Sequence, residues 1–147
     1  MEVKAGQLFF AVALLLATSG FAEASNGFLC VGEQSTGFAR KAGEWKLTSF
    51  SVGKYVVVNA TQKDKEHLAS VGIPSTEWVL KYVGIEMAVK RCVKVPIGMN
   101  CGDGDFVLNE KTLRFVYTDT IAYLTEMKLP KDISPTANLE IGTCSVF

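Results

Sequence analysis

All four cysteines of this 147-residue chain, Cys30, Cys92, Cys101 and Cys144, follow an N-terminal leader, and that placement narrows the fold sharply. Residues 1–24 read as a secretory signal peptide. Lys4 and the free amine charge its start, partly offset by Glu2. Leu8 to Ala17 is an unbroken apolar core, and Ala22 and Ala24 form an A-x-A cleavage pattern, so cleavage is expected between Ala24 and Ser25. The apolar run is about half the roughly 20 residues that a spanning helix needs, which argues against an anchor. A lipid anchor at Cys30 is disfavoured by Phe28 and Leu29 just before it.

An even cysteine count in an exported chain predicts two disulfides. Four cysteines allow three pairings. The favoured set is Cys92–Cys101, across a short connection, with Cys30–Cys144, which ties the first strand to the last. A metal site fits poorly. No pair has C-x-x-C spacing and His67 is the only histidine, so neither structural zinc nor any other metal or cofactor is expected.

The expected mature chain, residues 25–147, is one domain on length grounds and long enough to bury a core. The 15 basic and 15 acidic residues of the whole chain become 14 and 13, a net charge of +1, when Lys4, Glu2 and Glu23 leave with the leader. Such balance gives no electrostatic case for nucleic acid or anionic lipid, which need a concentrated basic surface. No second long apolar run follows, so no membrane insertion is expected after cleavage.

Short strands dominate the pattern. Phe28 to Val31 is one, ended by Gly32. Phe38 to Arg40 and Trp45 to Leu47 flank Lys41–Ala42–Gly43–Glu44, a hairpin turn with Gly43 at positive φ. Lys54 to Asn59, KYVVVN, is the strongest strand signal, with burial expected on both faces. Thr61 to Ser70 is polar and suits a helical turn or two, or an excursion outside the sheet, ended by Gly72 and Pro74. Glu77 to Val83 and Glu86 to Val95 follow as strands. In the second, the alternation sets Cys92 with Lys90 and Lys94, near a rim. Pro96 to Asp105 reads as a turn region. Phe106 to Leu108, Leu113 to Thr118 and Ile121 to Thr125 read as three further strands, with Leu113, Phe115 and Tyr117 sharing a face. Lys128 to Ala137 is a loop and Leu139 to Val146 the closing strand. The fold class is therefore all-β: a small antiparallel barrel or sandwich with two disulfides.

Chemistry-bearing motifs are sparse. His67 stands alone in a charged segment with no nucleophile near it in sequence. Cys101–Gly102–Asp103–Gly104–Asp105 could begin a calcium loop, but apart from Glu110 nothing downstream supplies the further acidic ligands. A tight turn explains the same residues. Ser35–Thr36–Gly37–Phe38 reads as a turn between the first two strands, or as a polar and aromatic lining for a binding site. Asn59–Ala60–Thr61 is a glycosylation sequon that matters only in a eukaryotic secretory route. There is no G-x-S-x-G elbow and no phosphate-cradling loop, so no catalytic residue is assigned and no enzymatic activity is expected.

Three stretches resemble a group of uncharacterised small exported proteins of Proteobacteria and their prophages: CVGEQSTGF from Cys30 to Phe38 with Trp45 and KYVVV after it, FVLNEKTLRFVYTDTIAYL from Phe106 to Leu124, and LEIGTCSV from Leu139 to Val146. The resemblance implies a periplasmic or secreted location and brings no activity with it. By architecture the chain also resembles the small periplasmic β-barrels that inhibit lysozyme, although their inhibitory loop is not found here.

The functional expectation is a non-enzymatic exported binding protein with an unknown protein or small-molecule partner, an inhibitor of an envelope enzyme being one version. The alternatives are a small-ligand carrier with an apolar cavity, and a hydrolase built from Asp103, Asp105 and Glu110.

Overall fold

The computed structural model describes residues 27–124 and 135–147. The expected signal peptide and cleavage site lie outside that range, as do residues 125–134 of the connection before the last strand. Nine strands are described: β1 Gly27–Lys41, β2 Glu44–Ser49, β3 Lys54–Asn59, β4 Trp78–Tyr82, β5 Lys90–Val95, β6 Gly98–Cys101, β7 Phe106–Asn109, β8 Arg114–Asp119 and β9 Thr136–Val146. Helix α1, Gln62–Ser70, joins β3 to β4, and a single helical turn α2, Ile121–Leu124, follows β8. All pairings are antiparallel. Strands β1 and β3 to β9 close into an eight-stranded barrel through the β1–β9 seam, and β2 is an extra strand outside the ring.

The seam works because β1 serves two partners on one edge. Gly27 to Val31 pairs with β3, and Thr36 to Lys41 pairs with β2. Along its other edge β1 pairs with β9 from Phe28 to Ala39, with a bulge between Gly32 and Gln34. The strand expected to stop at Gly32 therefore runs on to Lys41, and Ser35 to Phe38 is strand, not turn. Gly32 does not end it, because Gly32 faces Gly142 of β9 where no side chain fits. A Cβ on Gly142 would strike the Val31 carbonyl and the Phe115 ring, and one on Gly32 would strike the Glu140 carboxylate. An extra residue in one strand of a pair re-phases everything beyond it. Phe28 and Cys30 point inward before the bulge, and Ser35 and Ala39 are the buried positions after it.

The β1–β2 turn is as expected, with Gly43 at φ 86°, and Ala42 also sits at positive φ, 51°. Both disulfides match the favoured pairing. Cys30–Cys144 crosses the seam and Cys92–Cys101 crosses β5–β6, each between directly opposed residues. Cys92 is not at a rim. It is 2% exposed and belongs to the core. The lysines beside it in the alternation do point to its side, but they sit at the two ends of a short strand. Lys90 reaches Asp105 at one mouth, and Lys94 lies over the Trp78 ring at the other. Long cationic side chains can cover apolar surface while keeping their charge in water.

Four further expectations change. β9 begins at Thr136 and not at Leu139, so Thr136 and Ala137 are strand and not loop. β5 begins at Lys90 and not at Glu86. Residues 96–105 contain strand β6 and a 3-10 turn over Gly102–Gly104, because Cys101 must face Cys92. Ile121 opens a helical turn, not a strand.

The barrel interior is filled. Phe106 and Phe115 stack at 5.0 Å, and Tyr55 packs on both at 5.6 and 5.7 Å. Val57, Leu80, Met99 and Leu108 complete the layer at 0–2% exposure. Each such side chain contributes roughly 1.5–3 kcal/mol on burial.

KYVVVN is covered on both faces, as its composition suggests. Tyr55 and Val57 point in, while Val58 lies under α1 with Leu68, Val79 and Ala88. A capping box starts α1: the Thr61 hydroxyl accepts from the Asp64 N–H, and the Asp64 carboxylate accepts from the Thr61 N–H. Gly72, at φ 76°, ends it in a Schellman arrangement. Its N–H donates to the Ala69 carbonyl and the Ile73 N–H to the Leu68 carbonyl.

Candidate functional site

Beyond the bulge, β1 carries β2 along one edge and β9 along the other, and the β1–β2 hairpin forms an arm. The Ala42–Gly43 turn holds the two strands in the register Phe38↔Leu47 and Arg40↔Trp45. Facing residues of an antiparallel pair share a side, so Phe38, Trp45 and Leu47 lie on one face of the arm. Turn α2 meets that face: the Tyr123 ring packs edge-on against Trp45 at 5.1 Å and 70°. Phe38, Trp45 and Tyr123 line a cleft of about 390 Å³. The surrounding apolar surface is open, with Leu47 at 72% and Leu124 at 71% exposure. Contiguous exposed apolar surface on a small protein marks an interaction site. Among the described residues, β2 pairs only with β1, so its outer backbone edge also faces outward.

The opposite face of the strand is polar and closed. Ser35 and Tyr117 both stand opposite Glu140, Ser35 from β1 and Tyr117 from β8. Glu140 is 2% exposed and accepts a hydrogen bond from the Gly53 N–H at 2.9 Å and another from the Tyr55 hydroxyl. Burial, reinforced by the Glu140 carboxylate, pushes the Tyr55 hydroxyl well above the ordinary tyrosine range. Burial also raises Tyr117, whose hydroxyl lies 3.5 Å from that of Tyr82. Both phenols stay neutral at any physiological pH, so this row is an uncharged lid on the core around one carboxylate.

A second cleft, of about 410 Å³, opens at the far end of the barrel between Lys65, Trp78 and Lys94. Its aromatic surface is already covered by the Lys94 ammonium, 5.4 Å from the Trp78 ring centre. At the arm, by contrast, Phe38 is 47% and Tyr123 54% exposed.

The carboxylates considered for hydrolysis fall into two groups, with Asp103 and Asp105 in ion pairs and Glu110 beyond the far end of β7. Asp103 pairs with Arg91 at 2.7 Å, and Asp105 with Lys90 at 2.6 Å. Glu110 follows the other end of β7, about 16 Å from Asp105 at the usual rise per residue. His67 lies in the last turn of α1, where its carbonyl accepts from the Ser70 hydroxyl. Asn59 is exposed at the end of β3, and Thr61, the sequon's third residue, is the α1 cap. Among the described residues no three His, Cys, Asp or Glu side chains converge as a metal ion requires.

Of the Ser35–Phe38 segment, Phe38 belongs to the arm's exposed face and Ser35 to the buried row. Tyr123 and Leu47 carry no motif. The available signal was the set of apolar residues at alternate positions of a hairpin, Phe38 on one strand and Trp45 and Leu47 on the other. No protein-family model, curated protein or solved structure matches this chain. Its two disulfides fit a protein outside the cytoplasm. Among the described residues no helix is long and apolar enough to cross a membrane.

Proposed function

We propose that this is an exported, non-enzymatic binding protein that grips another polypeptide with the aromatic face of its arm. The observation that carries the reading is that Phe38, Trp45 and Leu47 share one face of the β1–β2 hairpin and meet Tyr123 of α2 there, with Phe38, Leu47 and Tyr123 exposed and Trp45 half-buried, while the barrel interior is packed with side chains. Aromatic residues in exposed clusters dominate the energetics of protein recognition. A carrier needs an interior cavity of about 300 Å³ or more, and the side chains filling this barrel favour its surface over its interior. Inhibition of an envelope enzyme is the specific form of this activity that suits the proposed periplasmic or secreted location. Kinship with the exported proteobacterial group belongs to the same proposal and rests on the three stretches quoted above.

The test is affinity capture from bacterial envelope extract by the oxidised mature protein, run beside Trp45→Ala/Leu47→Ser and Trp78→Ala. A stoichiometric partner held by the parent and Trp78→Ala but lost by the arm variant supports the reading. A partner held equally by all three, or none in repeated captures, overturns it.

A further inference from the structure

We infer that two copies of this chain associate through their β2 edges, in one register centred on Trp45, so that the two arms form a continuous antiparallel sheet. An open edge strand beside exposed apolar residues is a template for pairing, and β2 has such an edge among the described residues. Its residue order decides which pairing is allowed. Two identical antiparallel strands related by a two-fold axis must place one residue opposite itself, with its neighbours paired symmetrically about it.

Centred on Trp45, the pairing sets Glu44 of each copy opposite Lys46 of the other, twice. Gly43, which has no side chain, then faces the exposed Leu47. Centred on Lys46, the pairing sets two ammonium groups opposite each other, which is destabilising. Centred on Leu47, it sets Lys46 opposite Thr48 and Glu44 opposite Phe50, leaving all four charges without a cross-strand partner. Glu44 and Lys46 are free to make the exchange. Their side chains are 75% and 54% exposed, and within one copy they form only a loose pair at 3.4 Å. The charge order Glu–Trp–Lys is therefore self-complementary in one register and repulsive in the next. Such an arrangement admits a dimer while blocking slippage and further strand addition. The two-fold axis stands perpendicular to the sheet, so the Phe38–Trp45–Leu47 faces of both arms lie on the same side and form one doubled surface.

The inference concerns the edge of the arm, not its face, and stands whether or not the proposed protein partner exists. The experiment uses the purified oxidised mature protein alone, in low salt, by sedimentation equilibrium from about 5 to 500 μM, a range suited to a small interface. The parent should show a monomer–dimer equilibrium. K46E and E44K, which each place like charges opposite one another twice, should weaken it about tenfold or more. E44K/K46E, which exchanges the two charges, should restore it. Near-ultraviolet circular dichroism checks that each variant keeps the native packing. A parent that is monomeric throughout, or a double variant no better than either single one, overturns the inference.

Discussion

The Asp64 carboxylate on α1 meets the Lys81 ammonium on β4 at 2.8 Å, with the two side chains 1% and 13% exposed, and this contact ties the helix to the barrel wall. The same carboxylate accepts from the Thr61 N–H and hydroxyl. One side chain thus caps the helix and docks it. Burial pushes the Asp64 carboxyl up, but hydrogen bonds from Lys81 and Thr61 outweigh it and hold the group below the usual carboxylate range.

A depressed native pKa contributes stability that is present above the unfolded value, near pH 3.9, and is lost as pH falls through the native one. Asp64→Asn removes this contribution and leaves Lys81 without its ion pair, a change that costs about 3 kcal/mol in buried pairs. Urea unfolding at pH 7 should show that loss. Between pH 4 and 2, the variant should lose less further stability than the parent.

Glu140 and Tyr55 form the polar row inside one end of the barrel. Tyr55→Phe and Glu140→Gln each alter one side of their hydrogen bond, and each should destabilise by about 1–2 kcal/mol. The double variant should cost less than the sum of the two, since the shared bond is lost only once. Chemical denaturation of the four proteins of the cycle measures the coupling.

The two disulfides close loops of very different length, with sequence separations of 114 and 9. Loop-closure entropy makes the seam bond worth about 5 kcal/mol and the β5–β6 bond about 3 kcal/mol. Cys30→Ala/Cys144→Ala should therefore lower the urea midpoint more than Cys92→Ala/Cys101→Ala. Equal losses would show that the native-state environment, not chain entropy, governs both.

Ala42 occupies a turn position with φ at 51°, where an L residue other than Asn, Asp or Gly is disfavoured. Ala42→Asn should stabilise the arm by about 1 kcal/mol and raise the thermal midpoint. Gly142→Ala should do the reverse, by about 3 kcal/mol, because the added methyl meets the Val31 carbonyl and the Phe115 ring. Thermal unfolding of both variants reads the two signs.

Local chemistry made much of this fold legible in the residue order. A Gly at a two-residue turn, three valines after a tyrosine, a polar stretch between Thr61 and Gly72, and cysteines set at the first and last strands all act over a few residues or through a covalent bond. They led to the hairpin, β3, the closing strand and both disulfide partners, and to α1 as one of two readings of its segment. The face on which Cys92 points was not legible, because alternation says which residues share a side and not which side is inside. The barrel's curvature and the opposed Cys101 settled that. The fate of Phe38 depended on something more distant still. Without the bulge at Gly32–Gln34 it would share the inward phase of Phe28 and Cys30. The bulge lies where Gly32 of β1 meets Gly142, which in turn stands opposite Phe115, and both partners are more than 75 residues away along the chain. That long-range packing, invisible to any local pattern, is what turns an aromatic side chain out of the core and onto the arm.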